Sequence, residues 1–351
     1  MAQQDHPPRR LHRRASRLRA SMRAVVRRAV RTAGIAGLAA VGCVGGNAVA
    51  QTPAYPAKAV RFLVGFAPGG GTDIMARTVA VRLADALGQQ VVVENRPGAN
   101  ANLAAEIAAK AAPDGYTVLF ISVSHAVSKS LYRTLKYDLE RDFIPLAGIG
   151  SVPQALVVNP SLPVKTVKEL IALARKRPGE ITYASSGAGS PEHLAGEMFA
   201  LMAGVKLLHV PFKGGAPSAA AIVGGEVVVG FNTMPVALPH IQSGRMRVLA
   251  TTEDKRAGVL PEVPTIAEAG VTGYAASTWY GAMLPAGTPR EIVMRLNAEI
   301  NKVLQIPEVR DRLLSLGAVT LGGTPEAFGT LISTDVAKFA KVVKAANMQV
   351  D

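Results

Sequence analysis

From residue 59 onward, short apolar runs rich in Val, Ile and Phe alternate with Ala/Leu-rich stretches of helical period. That alternation restricts the chain to an α/β architecture with mainly parallel sheets. The strand candidates are Ala59–Phe66, Gln90–Glu94, Thr117–Ser122, Ala155–Val158, Ile181–Ser185, Leu207–Val210, Val227–Asn232, Val248–Thr251 and Tyr280–Leu284. Helices lie between them, and several carry start signals. Thr166-Val167-Lys168-Glu169 reads as a capping box, Thr288-Pro289 places Pro at a first helical position, and Ser190-Pro191 and Thr324-Pro325 repeat the cap-then-Pro pattern. The C-terminal third is helical through Arg290–Leu304, Glu308–Leu316 and Pro325–Ala346. With 351 residues, 49% of them hydrophobic, this is enough for about two packed domains, and disorder and collagen are excluded.

The formal charge of +14 points to nucleic acid until it is divided along the chain. Residues 1–50 hold 10 Arg and 1 Asp, so the remaining 301 residues carry 29 basic against 24 acidic side chains. A phosphate-binding groove needs its charge clustered in the folded domain, and nucleic acid is set aside. The Arg-rich stretch to Arg31 is followed by an apolar, small-residue run, Thr32 to Gly46, and by Ala48-Val49-Ala50, the A-x-A form of a signal-peptidase site. The run is too short for a membrane span and is interrupted by five glycines. Residues 1–50 are read as a cleavable signal peptide, with Met22 as the natural start. Val41-Gly42-Cys43 makes only a weak lipoprotein site, because Ala40 stands where Leu is usual. Cleavage after Ala50 leaves no cysteine, which excludes disulfides, thiolate metal sites and a cysteine nucleophile from the mature chain.

Two segments echo each other. An apolar strand ending at Phe66 runs through Ala67-Pro68-Gly69-Gly70-Gly71-Thr72-Asp73 into a helix, and one ending at Ser185 runs through Ser186-Gly187-Ala188-Gly189-Ser190-Pro191 into another. A glycine turn at a helix N-terminus leaves backbone N–H groups aimed at one spot with the positive end of the helix dipole behind them. Each is therefore a candidate seat for an anion or a carboxylate, although such turns also occur at ordinary strand–helix junctions. Asp73 is more plausibly a turn-shaping hydrogen-bond acceptor than a ligand contact.

Other chemistry is not written here. Neither loop has nucleotide-binding spacing, and Gly189-Ser190-Pro191 lacks the second glycine of a nucleophile elbow. His125, His193, His209 and His240 form no metal-ligand spacing, and His193 with Glu197 supplies two ligands at most. No metal, cofactor or catalytic residue is expected. His193 either faces whatever the Ser190 helix binds or packs the loop. Lys213 is a cation for an anionic ligand or a solvated loop lysine. Asn232 and Thr233 end a strand at the cleft edge, and Trp279 with Tyr280 forms a cleft wall or belongs to the core.

Taken together, Pro68-Gly69-Gly70-Gly71-Thr72-Asp73, Val93-Glu94-Asn95-Arg96-Pro97-Gly98-Ala99, Ala112-Pro113-Asp114-Gly115-Tyr116-Thr117, Ser186 to Ser190 with His193-Leu194-Ala195-Gly196-Glu197, and Val210-Pro211-Phe212-Lys213-Gly214 stand in the order and spacing of one family. The chain resembles the Bug family, the extracytoplasmic solute receptors of tripartite tricarboxylate transporters, over roughly residues 53–350. The resemblance implies a type II periplasmic binding protein: two α/β domains, joined by two crossing strands, that close over a ligand cleft. It implies a first domain of residues 53–150 plus 280–351 and a second of 151–279. It also implies a carboxylate held by Gly70, Gly71 and Thr72, with Asp73 shaping the turn, and by Ser186, Gly187, Gly189 and Ser190. His193, Asn232 and Trp279 complete the expected ligand-binding set. Two departures stand out. Asn100-Ala101-Asn102-Leu103-Ala104 replaces the glycines that usually follow Pro97-Gly98-Ala99, which makes that loop stiffer. Asn232 stands where an acidic residue is usual, which favours plain carboxylates over ligands with an ammonium group.

The reading is a monomeric periplasmic protein that captures a small organic carboxylate and hands it to two integral membrane transporter subunits. One alternative is an orphan receptor presenting its ligand to a membrane sensor kinase. Another is an exported α/β hydrolase working at Ser190 and His193.

Overall fold

A computed structural model describes residues 55–345. The expected signal peptide, the Met22 start and Cys43 lie outside the described residues. In chain order the elements are β1 (Val60–Val64), α1 (Gly71–Leu87), β2 (Val91–Asn95), α2 (Asn102–Ala109), β3 (Thr117–Ser122), α3 (Val123–Leu131) and β4 (Phe143–Val158). They continue with α4 (Val167–Lys176), β5 (Thr182–Ser185), α5 (Pro191–Ala203), β6 (Leu208–Pro211), α6 (Gly215–Val223), β7 (Val229–Thr233), α7 (Met234–Gln242) and β8 (Arg247–Thr251). The last are β9 (Ser277–Pro285), α8 (Arg290–Gln305), α9 (Pro307–Ser315), β10 (Val319–Gly322) and α10 (Pro325–Ala345).

The strands run in the order β2-β1-β3-β9-β4-β7-β5-β6, with β8 and β10 also on β4. The expected predominance of parallel pairing is only half met. β1 pairs parallel with β2 and β3, and β5 with β6 and β7. Every pairing made by β4 or β9 is antiparallel. The cause is topological. β4 carries the chain out of the first sheet into the second and β9 carries it back, so the two run in opposite directions. Phe143 to Pro153 of β4 pairs with β9, and Gln154 to Val158 continues into β7 and β8.

Both sheets are covered on both faces, which is why their strands read as unbroken apolar runs. Phe62 and Val64 meet Met75, Val79 and Leu83 of α1 and Leu296 and Ile300 of α8. Leu63 of the same strand points the other way, toward Ala104 and Ala108 of α2 and Phe328 of α10. In the second sheet Leu156 and Val158 pack with Tyr183, Phe199 and Phe231, while Ala155 and Val157 pack with Ile222 and Met234. Each fully buried Leu, Ile, Val or Phe in these layers contributes about 2 kcal/mol of transfer free energy.

Only the last four residues of β4 were expected as strand. Pro145, Gly148, Gly150 and Pro153 interrupt the apolar pattern before them, and the β4–β9 register shifts beside the first three. The glycines are needed there, because a Cβ on Gly148 would stand 3.1 Å from Leu321 and one on Gly150 3.0 Å from Met75. β10 was not expected either; it is a four-residue edge strand. The Thr166–Glu169 capping box forms as read, with Glu169 N–H donating to Thr166 Oγ1 at 3.1 Å and Thr166 N–H to Glu169 Oε2 at 3.2 Å. Pro289 is not at the first helical position: it is the N-cap of α8, and the Thr288 hydroxyl donates to the Pro285 carbonyl instead.

Candidate functional site

α1 starts without a side-chain cap. Its N-cap is Gly70, preceded by Gly69 at φ +75°, and no hydrogen bond among the described residues uses the N–H groups of Gly71 and Thr72. Asp73 shapes this turn. Its Oδ2 accepts from Gly69 N–H at 2.9 Å, its Oδ1 from Asn95 Nδ2 at 2.9 Å, and both oxygens from Arg77 Nε at 3.0 Å. Burial alone would raise the Asp73 carboxyl, but Arg77, Gly69 N–H and Asn95 together hold it below its ordinary range. The acid therefore braces the loop from behind and leaves the N–H groups facing forward.

Opposite them stands the N-terminus of α6, also uncapped, with Gly214 at φ +138° as its N-cap. The two termini touch through backbone: a Cβ on Gly70 would lie 3.4 Å from Gly215 N, and one on Gly214 3.0 Å from Ala67 N. At Gly214, with its positive φ and 3.0 Å approach to Ala67, only glycine lets the helix ends come so close. The cavity left between them has a volume of about 10 Å³, room for one water-sized group. Phe66, Gly70, Gly71, Thr72, Ser122 and Tyr280 line it from one side, and Ser186, Pro191, Glu192 and Gly215 from the other. Phe66 and Ser186 also line a second, outer chamber of about 260 Å³, bounded by the Gly98–Ala101 segment, Tyr132, Gly187, Phe212 and the exposed Lys213.

Of the expected ligand-binding residues, Gly70, Gly71, Thr72 and Ser186 line the inner cavity and Gly187 lines the outer chamber. Asp73, Gly189, Ser190, His193, Asn232 and Trp279 line neither. Ser190 caps α5, its hydroxyl accepting from His193 N–H at 3.3 Å. Gly189, at φ +78°, packs where a Cβ would collide with Leu131, and its N–H donates to His193 Nδ1 at 2.9 Å. The His193 ring thus packs the loop, and it stacks on His209 with centroids 3.8 Å apart. Asn232 is fully buried in β7, with Nδ2 3.5 Å from Ser218 Oγ. Trp279 sits in the core beneath Phe328 and donates from Nε1 to Asp335 Oδ2 at 2.6 Å. Burial pushes the His193 imidazole down to about 4, and burial with His193 beside it pushes His209 down to about 3. Both rings are neutral at physiological pH.

Sequence reasoning passed over Glu192 and Gly215, and of the Trp279–Tyr280 pair it carried Trp279 rather than Tyr280 into the ligand-binding set. An acidic residue in the first turn of a helix reads as a complement to the dipole, which conceals an inward-facing acid. Here the Glu192 side chain is buried, and Ser186 Oγ donates to its Oε2 at 2.5 Å. Burial raises the Glu192 carboxyl above its ordinary range, against the opposing effect of the Ser186 and Ser190 hydroxyls and its own N–H. Tyr280 is raised too, by burial first and by Glu192 second. The neighbour of Trp279 is the one that reaches the cavity, because successive residues of a strand point to opposite faces.

This geometry can hold an anion between two uncapped helix N-termini, with a larger chamber alongside. A family model described as "Tripartite tricarboxylate transporter family receptor" matches residues 75–348. The protein BugT of Bordetella pertussis is 39% identical over 292 residues, covering 83% of this chain and 90% of BugT. An R. palustris protein solved with adipate superposes with a TM-score of 0.82 at 38% identity, covering 84% of this chain and all of that one. The periplasmic binding protein BugD gives a TM-score of 0.82 at 32% identity, again with 84% of this chain and all of that one covered. The two-sheet α/β architecture is accordingly that of the periplasmic binding proteins, and the chain belongs to the tripartite tricarboxylate transporter receptor family, that of the Bug proteins.

Proposed function

We propose that the chain is a periplasmic receptor that captures a small organic carboxylate, without catalysis, and delivers it to the two membrane subunits of a tripartite transporter. The observation that carries this reading is the uncapped N-terminus of α1 meeting that of α6 across a small cavity. One ligand carboxylate takes the free N–H groups of Gly71, Thr72 and Gly215, and the remainder of the ligand extends into the outer chamber toward Lys213. Residues 53–150 with 280–351 and residues 151–279 act as the two moving domains. Because the two N-termini share one ligand only when they are brought together, the ligand shifts the equilibrium toward closure by the free energy of the second set of contacts. The adipate bound by the structural relative supports a dicarboxylate of similar size. The hydrolase alternative is disfavoured by the use of Ser190 as a helix cap and of His193 Nδ1 as an acceptor for Gly189 N–H, since no nucleophile–base pair forms between them.

The test is thermal unfolding of residues 51–351 with a panel of mono-, di- and tricarboxylates. A ligand at about 100 times its dissociation constant adds about 2.7 kcal/mol to the stability. A shift confined to one carboxylate class supports the reading, and a flat response across the panel at every pH overturns it.

A further inference from the structure

The inner cavity has an acid in its wall and no base. Glu192 is 4% exposed and lines the cavity beside Thr72 and Tyr280. Among the described residues it forms no ion pair, and no Lys, Arg or His lines the inner cavity. The groups facing it from each packed element are neutral: Ser186 from the β5–α5 loop, Tyr280 from β9, Ser122 at the start of α3 and Gly215 of α6. The nearby charged and titratable side chains are engaged elsewhere. Asp73 is tied to Gly69, Arg77 and Asn95; His193 turns to Gly189 and His209; Glu197 accepts from Tyr183; His125 is buried against Ser122.

The α5 wall has no N–H left for a ligand. Pro191 has none, Glu192 N–H is turned to its own carboxyl, His193 N–H is capped by Ser190, and the Ser186 hydroxyl proton already points at Glu192 Oε2. A ligand carboxylate held by Gly71, Thr72 and Gly215 therefore enters the small cavity that Glu192 also lines and lies directly against its carboxyl. Two carboxylates at that separation, with no cation between them, do not both stay ionised. We propose that Glu192 is the specificity residue of the cleft and works as a neutral carboxylic acid, its Oε1–H donating to the ligand carboxylate, so that one proton is bound with each ligand. The proposal rests on the carboxylate reading above and adds to it a preference: carboxylates without a neighbouring ammonium group are accepted, and α-amino acids are not. The acidic partner the sequence seemed to lack at Asn232 is present, on a different element, and in the protonated form it selects the same ligands.

The experiment is calorimetric titration with adipate, succinate and L-aspartate, across mildly acidic to mildly alkaline pH, in two buffers of different ionisation enthalpy, for the wild type and Glu192→Gln. The wild type is expected to take up one proton per dicarboxylate once the pH exceeds the Glu192 value, with Kd rising about tenfold per pH unit. Glu192→Gln keeps a donor at that place and should bind within about tenfold of the wild type at acid pH, with no proton uptake and a flat profile. Adipate binding without proton uptake at any pH overturns the proposal and leaves the receptor reading standing. L-aspartate bound more tightly than succinate, with the order reversed in Glu192→Gln, overturns it in favour of an ionised Glu192. Should no carboxylate bind, the receptor reading fails, and the infrared difference between ligand-free wild type and Glu192→Gln decides. A carboxylic-acid carbonyl band lost in the variant supports the protonated acid, and its absence overturns the proposal.

Discussion

Replacing Gly70 by alanine tests whether the meeting of α1 and α6 is the ligand-bound geometry. Gly70 sits at φ −77° and ψ 165°, a conformation alanine adopts freely, so the substitution strains no backbone by itself. In the closed cleft the new Cβ would stand 3.3 Å from the Ala67 carbonyl oxygen and 3.4 Å from Gly215 N. The first contact lies within the same loop and can relax there. The second is relieved only by moving the helix ends apart. A contact at this edge of van der Waals distance costs at most about 1 kcal/mol, the low end of overpacking, so the affinity falls by no more than about fivefold. Because the penalty belongs to the closed state, the stability of a ligand-free, open form should stay within about 0.5 kcal/mol of the wild type. Gly215→Ala is the comparison: its Cβ would meet Val236 Cγ2 at 3.4 Å and Gly70 Cα at 3.7 Å, so the loss is smaller. The assay is calorimetric titration with adipate alongside a ligand-free melt. Wild-type affinity in Gly70→Ala, with an unchanged melt, would refute the assignment of this backbone contact to the ligand-bound state.

Two further substitutions probe the loops around the cleft. Asp73→Asn removes the charge and one of the two acceptor oxygens shared by Gly69, Arg77 and Asn95 and should cost about 2 kcal/mol at neutral pH by urea denaturation. The folded Asp73 is held below its unfolded value, so its contribution is complete above the unfolded pKa and disappears as pH falls through the folded one. The gap between wild type and Asp73→Asn therefore closes in strong acid, and a gap that persists there contradicts the assignment. Ala99, Asn100 and Ala101 all have positive φ, at 46°, 52° and 72°. Left-handed alanine costs about 1–2 kcal/mol, partly offset by the extra unfolded-state freedom of glycine, so Ala99→Gly should stabilise the chain by about 0.5 kcal/mol. A destabilised Ala99→Gly would show that the loop is held by contacts that outweigh its backbone strain.

The first half of the site was legible because it is local. Gly69, Gly70, Gly71, Thr72 and Asp73 are contiguous, and a glycine turn before a helix specifies where the N–H groups point whatever the rest of the chain does. The second half depends on which helix faces it, and that is a tertiary fact. Two glycine-bearing turns enter helices in the second sheet. α5, whose turn repeats the first one, has its cap supplied by Ser190, as the Ser190-Pro191 pattern indicates, while α6, entered through Gly214-Gly215, is the one left open. The family resemblance placed Ser190 among the ligand contacts, while the cap pattern in the same residues already gave its hydroxyl an internal use. Of the strands, β3 was read to the residue at both ends, and β1, β7 and β9 to within about three residues at each end. They were missed where bulges, prolines and glycines serve the crossing between sheets, as in the first part of β4. The loop after Gly98 was expected to be stiffer; the structure adds that Ala99, Asn100 and Ala101 all take positive φ, which the sequence did not indicate.

The same crossing joins cleft geometry to the acid in it. Gln154 lies where β4 passes from one sheet to the other; its backbone N–H donates to Thr252 Oγ1 at 2.9 Å and its carbonyl accepts from Thr252 N–H at 3.0 Å. Thr252 in turn bonds Ala276, one residue before β9 begins, through its hydroxyl and its carbonyl. Both passages between the sheets are thus stitched together at one level. From that point the Gln154 side chain donates to Thr278 Oγ1 at 3.1 Å and to the Pro191 carbonyl at 3.2 Å, and Pro191 is the residue before Glu192. A rotation about the crossing strands therefore carries the start of α5 with it. Closing the cleft and bringing the Glu192 carboxyl against the ligand become one motion on this connection, so the energy of protonating the acid enters the closing equilibrium directly. On the proposed role of Glu192, a receptor built this way would couple its open and closed populations to pH through an acid whose helix start the crossing strand holds at Pro191.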